Sequence, residues 1–201
     1  MKTIKIWNDN PSDKQTRDIA RCLREGEIAI MPTDSLYGIC CDALSQKSIE
    51  RVARLKGLNP DKSNLSIICS DISMAAEYAR IDNYAFQMMK ELTPGPVTFI
   101  FKATNSLPKA FKGRKTVGVR IPDNATCRST VEELGHPVMT TSIMYDDEDE
   151  GTNPDLIAEV YDGKVDLMVD GGMSSLEPSA IIDCTGSEPV VVREGKATSN
   201  Q

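Results

Sequence analysis

The chain has 201 residues, 40% hydrophobic and 26% charged, the proportions of an ordinary globular protein long enough to bury a core. Its net charge of −7 argues against broad, nonspecific attraction to nucleic acid. No apolar run approaches the roughly 18 residues that span a bilayer, and MKTIKIWNDNPSD lacks the apolar core and cleavage site of a secretory signal, so a cytoplasmic location away from membranes is expected.

From the amino terminus, SDKQTRDIARCLREG places Ile19, Cys22 and Leu23 on one helical face, with Gly26 positioned to stop it. EIAIMP then reads as a buried strand. SQKSIERVARLKG puts Ile49, Val52 and Ala53 on one stripe, with Gly57 as a left-handed cap and Lys56 in the last turn. NLSIICS is an apolar strand. SMAAEYA and DNYAFQMMKEL read as consecutive helices capped by Ser73 and Asp82. PVTFIFKA and KTVGVRIP form a strand pair separated by the basic segment Lys109 to Lys115. NATCRSTVEELG is a helix, PVMTTSI a strand, the acidic run Asp146 to Glu150 a solvated loop, and NPDLIAEVYDG a helix. VDLMVDGG, PSAIIDCT and PVVVREG close the chain as short strands. This alternation predicts a single α/β (α+β) domain over residues 1–201, with helices flanking a mixed sheet.

The six cysteines are dispersed or, at Cys40 and Cys41, adjacent; with no Cys-x-x-Cys and one histidine, His136, zinc-ligand spacing is missing. They read as small buried residues rather than as a zinc site, another metal site or a redox centre. The usual phosphate-binding glycine loops and the G-x-S-x-G elbow are missing too, and one histidine leaves little for a hydrolase triad.

Polar residues recur instead at strand ends: MPTDSLYG after one strand, Arg120 and Arg193 ending two others, MTTSI ending a fourth, PSAIID opening a fifth. Ligands of α/β sheets collect at such places, and an arginine closing an apolar strand seeks an anion, either a ligand or an internal carboxylate. Lys56 also suits the helix dipole, and Thr33, Asp34 and Ser35 also suit a turn after Pro32. In PTDSLYGICCDA, Thr33 and Tyr37 are expected to face a pocket, Gly38 to permit the turn, and Cys40 and Cys41 to return to the core.

In order, PTDSLYGICCDA, RLKGLNPDKSNLSIIC, LTPGPVTFIFKA, TVGVRIPDN, PVMTTSI, PSAIIDCT and VVREG resemble the YrdC-like family of threonylcarbamoyl-AMP synthases, from about Ile28 to Gly195. The resemblance implies a YrdC-like fold, a twisted mixed parallel and antiparallel sheet flanked by helices around an open, positively lined cavity. It implies condensation of L-threonine, bicarbonate and ATP to threonylcarbamoyl-AMP and pyrophosphate, a nucleotidyltransferase step of tRNA modification. ATP enters as substrate with Mg²⁺, and partners are tRNA or double-stranded RNA and the threonylcarbamoyl-transfer machinery. Carried over by motif, Lys56 and Arg120 are catalytic. Thr33, Tyr37, Arg120, Ser142 and Ser179 bind substrate, and Lys56, Thr116, Ser142 and Arg193 bind nucleotide. Two departures stand out. Where the synthases show Lys-x-Arg this chain reads Lys56-Gly57-Leu58, and where they show Ser-x-Asn it reads Ser142-Ile143-Met144, a pattern that resembles the YciO-type branch. A catalytically reduced RNA- or nucleotide-binding module is the alternative reading.

Overall fold

The segment after Ser12 becomes helix α1 (Asp13–Arg24): the Ser12 hydroxyl accepts from the Gln15 N–H, and the Gln15 side chain returns to the Ser12 N–H. Strands β2 (Ala29–Met31) and β3 (Gly38–Asp42) follow, then α2 (Gln46–Lys56), which ends on Gly57 at φ 64°. Next come β4 (Ser66–Ile68), α3 (Ile72–Tyr78), α4 (Asn83–Leu92), β5 (Val97–Lys102), a 3₁₀ turn (Lys109–Phe111), β6 (Thr116–Arg120), α5 (Ala125–Leu134) and β7 (Val138–Ser142). The chain continues through α6 (Glu148–Thr152), α7 (Pro154–Tyr161), β8 (Leu167–Asp170), β9 (Ala180–Asp183) and β10 (Val190–Arg193), while the amino terminus supplies β1 (Lys2–Lys5). This computed structural model describes residues 1–59, 62–63 and 65–197. Pro60, Asp61 and Asn64 of the segment RLKGLNPDKSNLSIIC lie outside the described residues.

Three local expectations are corrected and one element is added. Asp71, not Ser73, caps α3, its carboxylate accepting from the Met74 N–H at 2.8 Å. The acidic run is a loop only at Asp146 and Asp147: Asp147 caps the short helix α6, whose first turn holds Glu148, Asp149 and Glu150, where carboxylates suit the helix dipole. The amino terminus adds a strand beside β8. Gly38 is no turn residue. It opens β3 opposite Ser142, and a Cβ there would lie 2.5 Å from the Thr140 hydroxyl, so close packing demands the glycine.

The ten strands form one mixed sheet in the order β1-β8-β2-β3-β7-β4-β6-β5-β9-β10. Side chains alternate across it, so the register defines its faces. On one face Cys41, Met139, Ile67, Val119, Phe99 and Ile182 stand side by side across six strands, buried beneath Ile49 of α2, Ala75 of α3, Met89 of α4 and Ile157 of α7. On the other, Leu167, Ala29, Cys40, Val138 and Ile68 pack under Ile19 and Leu23 of α1 and Val131 of α5. Fully burying one such side chain contributes on the order of 1.5–3 kcal/mol, so two cores of this size hold the sheet firmly. Beyond Ile68 and Val138 this second face changes character. Thr140, Ser66 and Gly118 lie side by side across β7, β4 and β6, three small residues on the side opposite the large apolar row; Ile100 of β5 stands next to Gly118, and Thr98 lies two residues along β5 on the same face. Among the described residues no helix is long and apolar enough to cross a membrane.

Candidate active site

Small side chains make this half-face a shallow shelf, and glycine makes it flat. A Cβ on Gly118 would sit 3.2 Å from Cγ2 of Thr98 and closer still to the Ser66 hydroxyl. Arg120 lies two residues past Gly118 on β6, and Thr116 two before it, so the three share the shelf face. At about 3.3 Å per residue, Arg120 and Thr116 mark ends on the order of 13 Å apart.

At the Arg120 end the loop after β2 doubles back over the sheet. Arg120 Nη2 donates to Asp34 Oδ1 and Ser35 Oγ, both at 2.9 Å, with Thr33 Oγ1 at 3.5 Å. Thr33 also builds the turn, its hydroxyl donating to the Leu36 carbonyl at 2.7 Å and accepting from the Ser35 N–H. Asp34 Oδ2 accepts from the Asp123 N–H, so this carboxylate bridges the β2 loop to the chain after β6. Both members of the pair are buried, with 8% of the Arg120 side chain and 7% of Asp34 exposed. Arg120 Nε is buried with no hydrogen-bond partner among the described residues, a donor left waiting at a cost of about 1–3 kcal/mol.

Three further groups close around it. Arg193 Nε and Nη2 donate to the Ser179 carbonyl at 3.1 and 2.7 Å, and the Ser179 hydroxyl sits 3.0 Å from that of Thr98. Gly195 brings the chain hard against Pro178 to Ala180, where a Cβ would lie 2.5 Å from the Ala180 nitrogen. Lys196 can then donate from Nζ to the Asp34 carbonyl at 2.9 Å. Burial and, second, the nearby Arg120 charge lower the Arg193 guanidinium from its ordinary value. The hydrogen-bonded cluster of Arg120, Arg193, Lys196 and Asp34 is therefore net positive.

The opposite end is simpler. Lys56, in the last turn of α2, donates from Nζ to the Ser142 carbonyl at 2.5 Å, and burial lowers its ammonium below the ordinary lysine range. Ser142 is exposed at the end of β7, opposite Gly38 and two residues past Thr140 on the same face. Leu58 follows Gly57, and exposed Met144 is held by its backbone to the Tyr161 hydroxyl.

The expected site residues thus divide into Thr33, Arg120, Ser179 and Arg193 at one end and Lys56, Thr116 and Ser142 at the other. Arg193, expected with the nucleotide group, sits at the Arg120 end. A single strand-end crevice is not what brings them together. β7 runs antiparallel to β4 and β4 parallel to β6, so the carboxyl ends bearing Ser142 and Arg120 point opposite ways and only the shelf joins them.

Tyr37, expected to face a pocket, is placed in the core: its ring is fully buried, and its hydroxyl donates to the Gly172 carbonyl and accepts from the Gly171 N–H. Burial raises its phenol to about 12, and it props the loop after β8 rather than facing ligand. Asp34, Lys196, Thr98, Ser66 and Gly118 were missed as site residues. Only the glycine inside the strand run VGVR signalled close approach. Burial likewise raises the Cys40 thiol to about 11 and those of Cys41, Cys69 and Cys127, leaving them unsuited to nucleophilic work.

Three comparisons agree with this architecture. The Sua5/YciO/YrdC family model, described as telomere recombination, matches residues 21–195. The chain is 37% identical over 193 residues to the uncharacterized protein YciO of Escherichia coli K12, covering 94% of this chain and 93% of that one. The crystal structure of E. coli YciO superposes with a TM-score of 0.89 at 34% identity, over 98% of this chain and 100% of that one. Pyrococcus abyssi Sua5 complexed with L-threonine gives a TM-score of 0.88 at 26% identity, over 97% of this chain and 58% of Sua5. Bacillus subtilis threonylcarbamoyl-AMP synthase is 28% identical, matching all of this chain and 60% of the synthase.

Proposed function

The chain belongs to the Sua5/YciO/YrdC family, and from that premise we propose that it binds L-threonine and ATP and carries a specialised, slow threonylcarbamoyl-AMP synthase activity. The observation that supports this best is the net positive cluster at Arg120, with a buried guanidinium nitrogen still lacking an acceptor. An amino-acid carboxylate satisfies that nitrogen and takes over the fork from Asp34, with Ser179 and Arg193 alongside.

In the reaction proposed, the threonine amine combines with bicarbonate, losing water, to give a carbamate. A carbamate oxygen attacks the α-phosphorus of ATP, the bond to the β-phosphate oxygen breaks, and pyrophosphate leaves. This chemistry needs orientation and cations more than a protein nucleophile. Arg120 holds the amino acid, the flat floor at Gly118 lets the reacting groups lie along the shelf, and Lys56 meets accumulating phosphate charge. In this proposal Mg²⁺ arrives with the nucleotide phosphates as part of the substrate. Leu58 and Met144 offer neither charge nor hydrogen bond at the phosphate end, which is why the rate is proposed to be low.

Incubating the full chain with ATP, threonine and ¹³C-bicarbonate and assaying by mass spectrometry tests this reading. Labelled threonylcarbamoyl-AMP and pyrophosphate that require all three substrates support it. Folded protein giving no product above an enzyme-free control rejects it.

A further inference from the structure

Past the Thr116 end of the β5–β6 hairpin lies a second cationic feature that the shelf chemistry does not use. A cavity of about 380 Å³ is lined by Arg80, Lys102, Lys112 and Lys115, with Asn105 and Phe111 among its other walls. No acidic residue lines it, and none of its four cations is ion-paired among the described residues. The chain has 30 acidic residues against 23 basic ones, so missing carboxylates are not explained by composition. Like charges around one concavity repel, and an anion seated among them offsets that repulsion.

The frame that holds these cations is fixed. The Arg80 N–H donates to the Lys102 carbonyl at 2.9 Å, and the Ala103 N–H to the Lys115 carbonyl at 3.0 Å. Phe111 is only 2% exposed and belongs to the main core, while the Ala110 N–H donates to the Gln46 side chain at 2.9 Å, pinning the 3₁₀ turn beside Lys112. Lys115 adopts φ 59°, a left-handed conformation uncommon for a residue with a side chain.

We propose that this cavity is a binding site for a compact di- or triphosphate group, separate from the carboxylate site at Arg120. One arginine and three lysines, all exposed and bordering one concavity, suit several charges carried close together. A cavity at the small end of the roughly 300–1,000 Å³ ligand range suits such a group too. A polynucleotide backbone calls instead for cations strung along a groove. The proposal is independent of synthase activity and survives its failure.

Inorganic pyrophosphate titrated into the ¹⁵N-labelled full chain, with backbone amides followed by NMR, tests it. Saturable shifts are expected at Ala103, Thr104, Lys112 and Lys115, persisting in Arg120→Met protein. Because each lost charge-assisted hydrogen bond weakens binding severalfold or more, affinity should fall at least about tenfold in a Lys102→Gln/Lys115→Gln variant. If that variant fails to fold, Lys112→Gln, exposed at the end of the 3₁₀ turn, should lower affinity by at least about threefold. Amides unmoved by about 10 mM pyrophosphate, beyond even weak millimolar binding, would overturn the proposal. So would equal affinity in folded variants, or shifts produced by a short RNA duplex and not by pyrophosphate.

Discussion

At the Arg120 end of the shelf, Thr33, Asp34, Ser35, Ser179, Arg193 and Lys196 hold one another in place without any ligand, whereas at the Lys56 end one ammonium rests on one carbonyl. Preorganisation lowers the cost of ordering side chains when a ligand arrives, so under the proposed function the first end is the better prepared to recognise and the second the more sparsely equipped to react. Asp34 adds a further difference. It already occupies the arginine, so a carboxylate bound as proposed would exchange with a resident one and not fill an empty fork.

The largest effect expected from breaking this contrast is at Arg120. Arg120→Met strands the buried Asp34 carboxylate and should cost about 3 kcal/mol in denaturant unfolding while abolishing threonine binding. Adding Asp34→Leu should restore most of the stability and none of the binding. Retained threonine affinity in either variant would detach recognition from the arginine. Gly118→Ala tests the floor joining the two ends. Its methyl group meets Ser66 and Thr98, and a loss of about 1–3 kcal/mol with weakened nucleotide binding is expected in calorimetry.

At the reactive end, Leu58→Arg with Met144→Asn should raise product formation about tenfold, the value of one charge-assisted hydrogen bond, with threonine affinity unchanged. An active parent showing no gain would mean that these positions do not limit turnover. Tyr37→Phe removes the acceptor of the Gly171 N–H and should lower stability by about 1 kcal/mol with little change in threonine affinity, as befits a prop. Titration of Lys56 gives the smallest effect. Burial lowers its folded value below the ordinary lysine one, so its charge is lost as pH rises through that lowered value. Nucleotide affinity should therefore decline on the alkaline side earlier than for an ordinary lysine, near 10.4, while stability rises slightly until the unfolded value is reached. Lys56→Met should remove this alkaline limb.

Much of this was legible in the sequence where one local rule suffices. Helical stripes, Gly57 and the long apolar strands all formed as their spacing predicts, because each answers to nearest neighbours. β1 escaped notice because KTIK has one apolar residue and borrows its order from β8. β3 was not recognised as a strand, although Cys40 and Cys41 were expected in the core, because GICCD, buried on both faces, shows no alternation. The site was harder. Arg120 and Arg193 announced an anion or an internal partner; Arg120 pairs internally with Asp34, and its Nε keeps no partner among the described residues. No spacing reveals that a loop 86 residues away supplies that partner. Nor does it show that Ser142 and Arg120 sit at opposite ends of one face, which only strand direction decides. Tyr37 misled because a tyrosine beside a pocket motif reads the same whether its hydroxyl meets ligand or backbone.

The most direct test of the central claim, that the Arg120 end is a carboxylate site, is calorimetric titration of the full chain with L-threonine and with L-threonine amide. Saturable binding of the acid, weakened at least about tenfold in the amide by the lost carboxylate charge, is the predicted result. Equal affinity for the two, or no binding of either to folded protein, would contradict it.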